Sequence, residues 1–359
     1  MKKIVSIISL LLVSLCLFAS FSYNLDLFSF QPLHKEYAAD KNSANLQFNY
    51  IYNFSGFPDH IYQDSVSDKV AEPIVYPLTS EMDMAPFMGQ FKIGENMSFL
   101  RSTFTFDSFL SPISFDLSFQ PVLNLVFEGA MADLIGYDGV FFYGASLSIG
   151  DFFSARFGAH HYCNHYGDSV IKRIDKAQWN TFWVTYKYVR MDALAVGVSI
   201  TPLDDLRLYF EYNWLPKNID SIRPVIFRPS WLDISLSDYD EEYQARIINF
   251  GVEYSHIFIP SLGKTTLAYD CHMFEDGKIA YRDENGDYYT DGSLIHYDPN
   301  EPWRVEHSFL INQEFAPTMS FEIGYIYGGS SLNLLYYYED ASWIYFGIKF
   351  NPEYTVKVF

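Results

Sequence analysis

Residues 46–54 read LQFNYIYNF, a nine-residue run in which apolar and polar side chains alternate. Successive side chains of a β-strand point to opposite sides, so a strand here has one apolar and one polar face. The apolar face carries Leu46, Phe48, Tyr50, Tyr52 and Phe54. The polar face includes Gln47, Asn49 and Asn53. One face suits lipid and the other suits water or a polar lumen.

The same alternation recurs along the chain, in segments that run about 9 to 11 residues, the length of a tilted membrane strand. It is found in residues 113–120, 141–149, 206–214, 319–327 and 344–350. A soluble β-sandwich also alternates and is the main alternative. Segment length and aromatic residues near the strand ends favour a membrane barrel. We therefore predict an all-β fold, an antiparallel transmembrane β-barrel.

The composition agrees with this prediction. The chain has 33 Phe, 29 Tyr and 6 Trp, yet its mean hydropathy is close to neutral. Aromatic residues at this frequency are typical of β-structure. After the N-terminus no apolar run approaches the 18 residues expected of a membrane helix.

Connections between the strands fall into two classes. Short turns are predicted at 150–151, 202–205 and 328–330. Long polar stretches lie near 55–86, 163–177, 215–242 and 275–303. Long loops at one end and short turns at the other are typical of outer-membrane barrels. We expect about 12 to 16 strands. Whether the number is even or odd stays open, because residues 113–129 fit either one long strand or two.

The N-terminus has the anatomy of a secretory signal peptide. Lys2 and Lys3 precede an apolar stretch, and small residues follow it, with cleavage expected before Phe21 or Tyr23. An uncleaved anchor helix is the alternative, and a lipoprotein attached at Cys16 is another, although Leu15 does not fit that motif. The expected organisation is a signal peptide over residues 1–22 and a barrel over residues 46–359. Residues 23–45 lack clean alternation and form either a periplasmic tail or an inward-folded segment.

The charge and the cysteines exclude some functions. The net charge of −20 becomes −22 once the two signal-peptide lysines are removed. Nucleic-acid binding needs clustered Lys and Arg and is not expected. Cys163 and Cys271 remain after cleavage, too few for a disulfide scaffold, and one bridge between them stays open.

The densest polar cluster spans residues 160–168 and reads HHYCNHYGD. It resembles an uncharacterised family of Gram-negative exported barrel proteins, whose strand ends in His-x-Ser-x-His-x-Gly-Asp. His161, His165, Gly167 and Asp168 match, and Cys163 replaces the serine. A Phe-x-Pro-Leu element at residues 30–33 and Ala-Asp at residues 39–40 also look like that family, with a longer spacer. The resemblance implies an outer-membrane location and no activity.

Three chemical hypotheses for this cluster compete with a hydrogen-bonded polar belt. His161-x-Cys163-Asn164 is similar to the His-x-Ser-Asn motif of outer-membrane lipid A deacylases, with Cys163 as nucleophile and His161 as base. His161, Cys163, His165 and Asp168 are also competent transition-metal ligands, with help from Cys271 or His272 on another strand. Residues 167–170 superficially match the Gly-Asp-Ser block of a hydrolase family. The polar belt is preferred, so the catalytic candidates stay weak and no metal or cofactor is predicted.

Other polar groups have simpler interpretations. The acidic run at residues 283–287 lacks the calcium-loop spacing and fits a turn. Arg101, Arg156, Lys187 and Arg207 occupy polar positions of the alternation, where they would line the lumen with inward Asp and Glu or form core ion pairs.

The C-terminal residue, Phe359, is the aromatic end expected of such barrels, but it is out of phase with Tyr354, Val356 and Val358. The last regular strand is therefore expected to end near Phe350.

The first functional hypothesis is a structural or transport barrel, porin-like and not enzymatic, with small solutes passing through its lumen. Its expected partners are outer-membrane lipid and the barrel-assembly machinery. A lipid hydrolase using His161 and Cys163 is the second hypothesis, and a surface adhesin acting through the long loops is the third.

Overall fold

The computed structural model describes residues 22–55, 60–64, 73–77, 86–107, 110–129, 133–166, 190–214, 239–240, 246–275, 280–281, 303–331 and 337–350. Within these ranges the regular structure is almost entirely β-strand. The strands are β1 Ser22–Ser29, β2 Leu46–Asn53, β3 His60–Asp64, β4 Pro73–Pro77, β5 Phe87–Gly94, β6 Met97–Thr105, β7 Ile113–Glu128, β8 Asp133–Ile149, β9 Phe153–Tyr166, β10 Arg190–Leu203, β11 Leu206–Trp214, β12 Tyr239–Asp240, β13 Arg246–Ile259, β14 Gly263–Glu275, β15 Ala280–Tyr281, β16 Trp303–Ala316, β17 Met319–Ser331 and β18 Tyr337–Phe350. A 3-10 turn, Pro260–Leu262, joins β13 to β14.

Twelve strands close into an antiparallel barrel. Around the circuit the order is β7, β5, β2, β18, β17, β16, β14, β13, β11, β10, β9 and β8, and β8 pairs back onto β7. The pairing of β2 with β18 joins an early strand to the last one, with Phe48 opposite Ile348. The predicted fold class is confirmed, and 12 is the lower bound of the predicted strand number. Residues 113–129, for which the sequence allowed one strand or two, contain one strand, β7.

The N-terminal part of the sheet has an interrupted pairing. β5 and β6 follow one another along the same edge of β7, β5 opposite residues 122–128 and β6 opposite residues 113–119. Their outer edge is shared by two separate strands, because β2 pairs with β5 and β1 pairs with β6. Between β1 and β2 the chain leaves the sheet, and residues 31–45 enter the barrel.

The two faces of the wall are reversed relative to a water-soluble protein. On β7, Phe115 and Leu117 are about half exposed on the outside, whereas Asp116 and Ser118 are buried inside. The run at residues 46–54 follows the predicted faces, with Phe48 and Tyr50 exposed and Gln47, Asn49 and Asn53 buried. An apolar exterior of this extent is unfavourable in water and favourable against hydrocarbon. This reversal excludes a soluble sandwich as the architecture.

The connections at one end of the barrel are short. Turns occur at Gly150, which has a φ of 53°, and at residues 204–205, as the sequence predicted. The turn predicted at residues 328–330 is wrong: these residues lie within β17. Gly328 has a φ of 103° and precedes a register shift, so this glycine permits a bulge rather than a chain reversal.

Several sequence predictions lie wholly or mostly outside the described residues. They concern the apolar N-terminal stretch, most of the long polar loops including residues 283–287, Lys187, Asp168 and residues 351–359 with Phe359. Within the described ranges, no helix is long and apolar enough to span a membrane.

Candidate functional site in the lumen

Residues 31–45, here called the inner segment, lie against the polar inner face of the barrel. His34, Tyr37, Ala39 and Ser43 are each at most 3% exposed. The chain reverses direction at Asp40, whose side chain accepts a hydrogen bond from the backbone N–H of Asn42 at 2.8 Å. Aspartate stabilises such turns by bonding to the backbone two residues on. The local sequence therefore lets the chain reverse inside the lumen.

Tyr37 is the central aromatic contact between the inner segment and the wall. Its ring stacks on Tyr209 of β11, with centroids 4.0 Å apart and planes at 8°. The guanidinium groups of Arg156 and Arg207 lie 5.2 and 5.4 Å from the Tyr37 ring centroid. Both are within the range of a cation–π interaction, which is stronger where water is excluded.

The Tyr37 hydroxyl donates a hydrogen bond to Glu211 of β11 at 3.1 Å. Glu211 also pairs with Arg156 of β9 at 2.5 Å and accepts hydrogen bonds from His160 at 3.0 Å and Asn213 at 3.2 Å. All five side chains are buried. A buried ion pair offsets its desolvation cost only when further hydrogen bonds satisfy its atoms, and the inner segment supplies one of them.

A second ion pair holds the backbone of the inner segment. Arg207 of β11 pairs with Glu253 of β13 at 3.2 Å and donates to the carbonyls of Lys35 and Glu36 at 2.6 and 2.8 Å. Glu253 in turn accepts a hydrogen bond from the Ala38 amide at 2.7 Å. The backbone groups of a non-regular segment inside the lumen therefore have partners, as burial requires.

The inner segment also contacts strands further around the circuit from β11. Lys41 pairs with Glu306 of β16 at 2.5 Å, and Asp40 accepts a hydrogen bond from Asn249 of β13 at 3.3 Å. Ala39 packs with Ala268 of β14 and Leu310 of β16. Contacts to β9, β11, β13, β14 and β16 hold the segment against the inner face of the wall along this part of the circuit.

His34 has one donor and one acceptor contact. Because the Tyr37 hydroxyl donates to Glu211, it accepts from His34 Nε2 at 2.9 Å, and His34 Nδ1 then accepts from the Ser154 hydroxyl at 3.0 Å. This pattern is that of a neutral imidazole. Burial, with the nearby Arg156 and Arg207, lowers the pKa of His34 well below its usual value. Burial also raises the pKa of the Glu36 carboxyl.

The lumen beside the inner segment retains a small cavity of about 20 Å³, roughly the room for one water molecule. Its lining includes Asp40, His160, Glu211, Asn213 and Asn249. This cavity lies between the inner segment and the wall.

The residues predicted from the HHYCNHYGD cluster do not meet in the lumen. On β9 the inward residues are Ser154, Arg156, His160 and Tyr162. His161 and Cys163 have the opposite parity and lie on the outer face, where the His161 ring is 5.8 Å from that of Phe141. The backbone of His165 in β9 pairs with Tyr137 of β8. The His165 side chain and the whole of Asp168 lie outside the described part of the structure.

The proposed helpers of that cluster are remote from it. Cys271 and His272 belong to β14, which three strands, β10, β11 and β13, separate from β9. Cys163 and Cys271 are both free thiols, so they are not joined by a disulfide. Among the described residues, no group of three or more His, Cys, Asp and Glu side chains has a metal-binding arrangement.

The lumenal arginines are where the alternation predicted them. Arg156 and Arg207 form the two buried ion pairs described above, and Arg101 of β6 lies 3.4 Å from Asp116 of β7. The sequence prediction missed Tyr37, Glu211 and His160. The signal for His160 was present, because it shares the parity of Ser154 and Arg156 along β9.

Comparison with known proteins gives distant likenesses only. No family model matches the chain, and no curated protein matches it. Among solved structures, the NanC porin has 11% identity and a TM-score of 0.39 over 86% of this chain and 100% of that one. The outer membrane channel DcaP of Acinetobacter baumannii has 11% identity and a TM-score of 0.32 over 92% and 97%. LpxR from Salmonella typhimurium has 9% identity and a TM-score of 0.33 over 86% and 100%. These likenesses are too distant to assign a function.

Proposed function

We propose that the protein is an outer-membrane transport barrel whose lumen is closed at rest by its own inner segment. The observation that carries this proposal is the occupied lumen: Tyr37 and Lys41 attach residues 31–45 to Glu211 and Glu306 on different parts of the wall. Here the interior is polar and charged, and a separate segment completes its hydrogen bonds.

The location follows from the wall. The circuit closes through the pairing of β8 with β7, and an apolar outer face against a polar inner face is the arrangement that lipid requires. Outer-membrane lipid and the barrel-assembly machinery are therefore the partners we propose. Small solutes would pass only when the inner segment moves.

Planar-bilayer conductance tests the transport role. The wild-type protein is expected to stay closed for most of the recording, whereas Tyr37→Ala combined with Lys41→Ala removes two attachments and raises the open fraction several-fold. Tyr23→Ala is the control, because Tyr23 lies on the exterior of β1 and is 50% exposed. Equal, steady conductance in all three proteins would show an open pore. No conductance in any of them would leave a structural role.

The uncharacterised barrel family remains a proposal that rests on two short motifs. A lipid hydrolase that uses His161 and Cys163 is a separate proposal, and it rests on the similarity of residues 161–164 to the His-x-Ser-Asn motif. His161 and Cys163 both lie on the outer face of β9, on the lipid side of the wall. Product release from lipid A, compared between wild type and Cys163→Ala, would test that reaction.

A further inference from the structure

The side chain of Tyr37 lies in a recess of the inner face of the wall, here called the ring site. The ring site is formed by Arg156 of β9 and by Arg207, Tyr209 and Glu211 of β11. Tyr209 stacks on the Tyr37 ring at 4.0 Å, and the two guanidinium groups lie 5.2 and 5.4 Å from its centroid. Glu211 accepts a hydrogen bond from the Tyr37 hydroxyl at 3.1 Å. Four wall side chains therefore converge on one aromatic ring with a hydroxyl group.

The two arginines of the ring site are held in place by other wall residues. Arg156 pairs with Glu211 at 2.5 Å and donates a hydrogen bond to Gln120 of β7 at 2.9 Å. Arg207 pairs with Glu253 of β13 at 3.2 Å. Because these partners belong to the wall, we expect the site to keep its shape when the inner segment moves away.

The stacking ring and the space for the hydroxyl group are also built into the wall. Tyr209 donates a hydrogen bond to Asp270 of β14 at 2.5 Å, which restrains the orientation of its ring. A Cβ atom at Gly197 of β10 would lie 2.9 Å from the Tyr37 hydroxyl and from Oε2 of Glu211. Glycine inside a strand marks a place where another group approaches the backbone closely. Gly197 therefore leaves room for a hydroxyl group beside Glu211.

These contacts specify the chemistry of the group that occupies the ring site. Stacking on Tyr209 requires a flat ring, and the guanidinium groups of Arg156 and Arg207 favour a ring with π-electrons. The Glu211 carboxylate only accepts hydrogen bonds, so the occupant has to donate one. A neutral phenol meets all three requirements. Toluene lacks the donor, and cyclohexanol lacks the aromatic ring.

We propose that the ring site binds small phenols and that Tyr37 occupies it as a tethered equivalent of the solute while the lumen is closed. This inference rests on the proposed function, because a solute can reach the site only after the inner segment has left it. A phenol bound there competes with Tyr37 and shifts the population towards the detached inner segment. Phenols are therefore both the class of solute and the signal for opening.

Equilibrium binding to the purified full-length Tyr37→Ala protein tests the site without any measurement of transport. Isotope-labelled phenol is expected to bind at one molecule per chain, and far more tightly than to the wild type, in which Tyr37 fills the site. Toluene should displace it at least about 10-fold less effectively than unlabelled phenol, the factor lost with one hydrogen bond to a charged group. Cyclohexanol should also be the weaker competitor.

Tyr23→Ala is the matched control, because the same truncation on the exterior of β1 should leave phenol binding at the wild-type level. Binding by Tyr37→Ala that does not exceed that of Tyr23→Ala would overturn the ring site. Displacement by toluene or cyclohexanol as strong as that by phenol would also overturn it.

A second measurement keeps Tyr37 and so does not depend on the folding of that variant. With Cys163 and Cys271 replaced by serine, Ala39→Cys places a thiol in the inner segment at a position that is 3% exposed. In lipid vesicles, phenol should raise the rate of thiol labelling at residue 39 several-fold, and cyclohexanol should not. An unchanged rate in phenol would overturn the proposal.

The two assays separate this inference from the proposed transport role. A protein that binds phenol at the ring site but never conducts in a bilayer would contradict transport and support the site. A protein that conducts in the Tyr37→Ala and Lys41→Ala double variant but binds no phenol would contradict the ring site alone.

Discussion

At the scale of single residues, the Glu211 carboxylate holds the inner segment to the wall. It pairs with Arg156 and accepts hydrogen bonds from Tyr37, His160 and Asn213. Replacing one partner of a buried ion pair leaves the other charge uncompensated, which costs about 3–5 kcal/mol. We expect Glu211→Gln to lower the free energy of unfolding by about that amount, measured by urea titration in detergent.

The control for this variant is another glutamate in an ion pair. Glu314 lies 3.3 Å from Lys264, but both side chains are more than a third exposed. Exposed pairs contribute about 0–1 kcal/mol, so Glu314→Gln should have little effect. Equal losses in the two variants would mean that Glu211 is not buried among these partners.

His34 of the inner segment makes the stability of the protein depend on pH. Its pKa is held below its usual value by burial and by Arg156 and Arg207, and Glu211 opposes them. Stability from the neutral imidazole is therefore present above the unfolded pKa of about 6.5 and lost as pH falls below it. The raised pKa of Glu36 has the opposite effect on stability. Its contribution to the free energy of unfolding is present at low pH and is lost as pH rises.

The two contributions are separated by substitution. Between pH 7.5 and 5, the unfolding free energy of the wild type should fall more steeply than that of His34→Gln, which cannot titrate at this position. Parallel pH profiles for the two proteins would show that His34 is not buried as a neutral side chain.

At the scale of elements, alternation along the sequence was sufficient to assign most strand faces. Lipid outside and a polar lumen inside impose opposite demands on neighbouring residues, so a pattern such as that of residues 46–54 has one solution. The pattern could not show that β5 and β6 share one edge of β7, because that depends on where the chain leaves the sheet. It also failed at Gly328, since glycine serves a bulge as readily as a turn.

The outer face of β9 offers a test of its environment. Phe157 is 57% exposed in the middle of the strand, and Leu203 is 65% exposed at the end of β10. An arginine facing lipid costs about 2–4 kcal/mol at mid-bilayer and about 0–1 near the interface. Phe157→Arg should therefore destabilise the protein in lipid vesicles far more than Leu203→Arg, measured by denaturant titration. Similar small losses at both positions would argue against a lipid-facing belt.

At the scale of the whole molecule, the closed wall was predictable and its contents were not. The sequence left residues 23–45 as either a tail or an inward-folded segment. The contacts that hold residues 31–45 join positions far apart in the chain: Tyr37 and Glu211 are separated by 174 residues, and Lys41 and Glu306 by 265. No local pattern encodes such pairs.

The most direct test of the plugged barrel is a cross-link between its two parts. Ala39 of the inner segment packs with Ala268 of β14 inside the lumen, whereas Ala145 of β8 lies on the exterior. With Cys163 and Cys271 replaced by serine, Ala39→Cys combined with Ala268→Cys should be joined by a short thiol reagent in lipid vesicles. Ala39→Cys combined with Ala145→Cys should not. Mass spectrometry that finds the 39–268 link alone is the predicted result; its absence, with residue 39 freely labelled, would contradict a lumen closed by this segment.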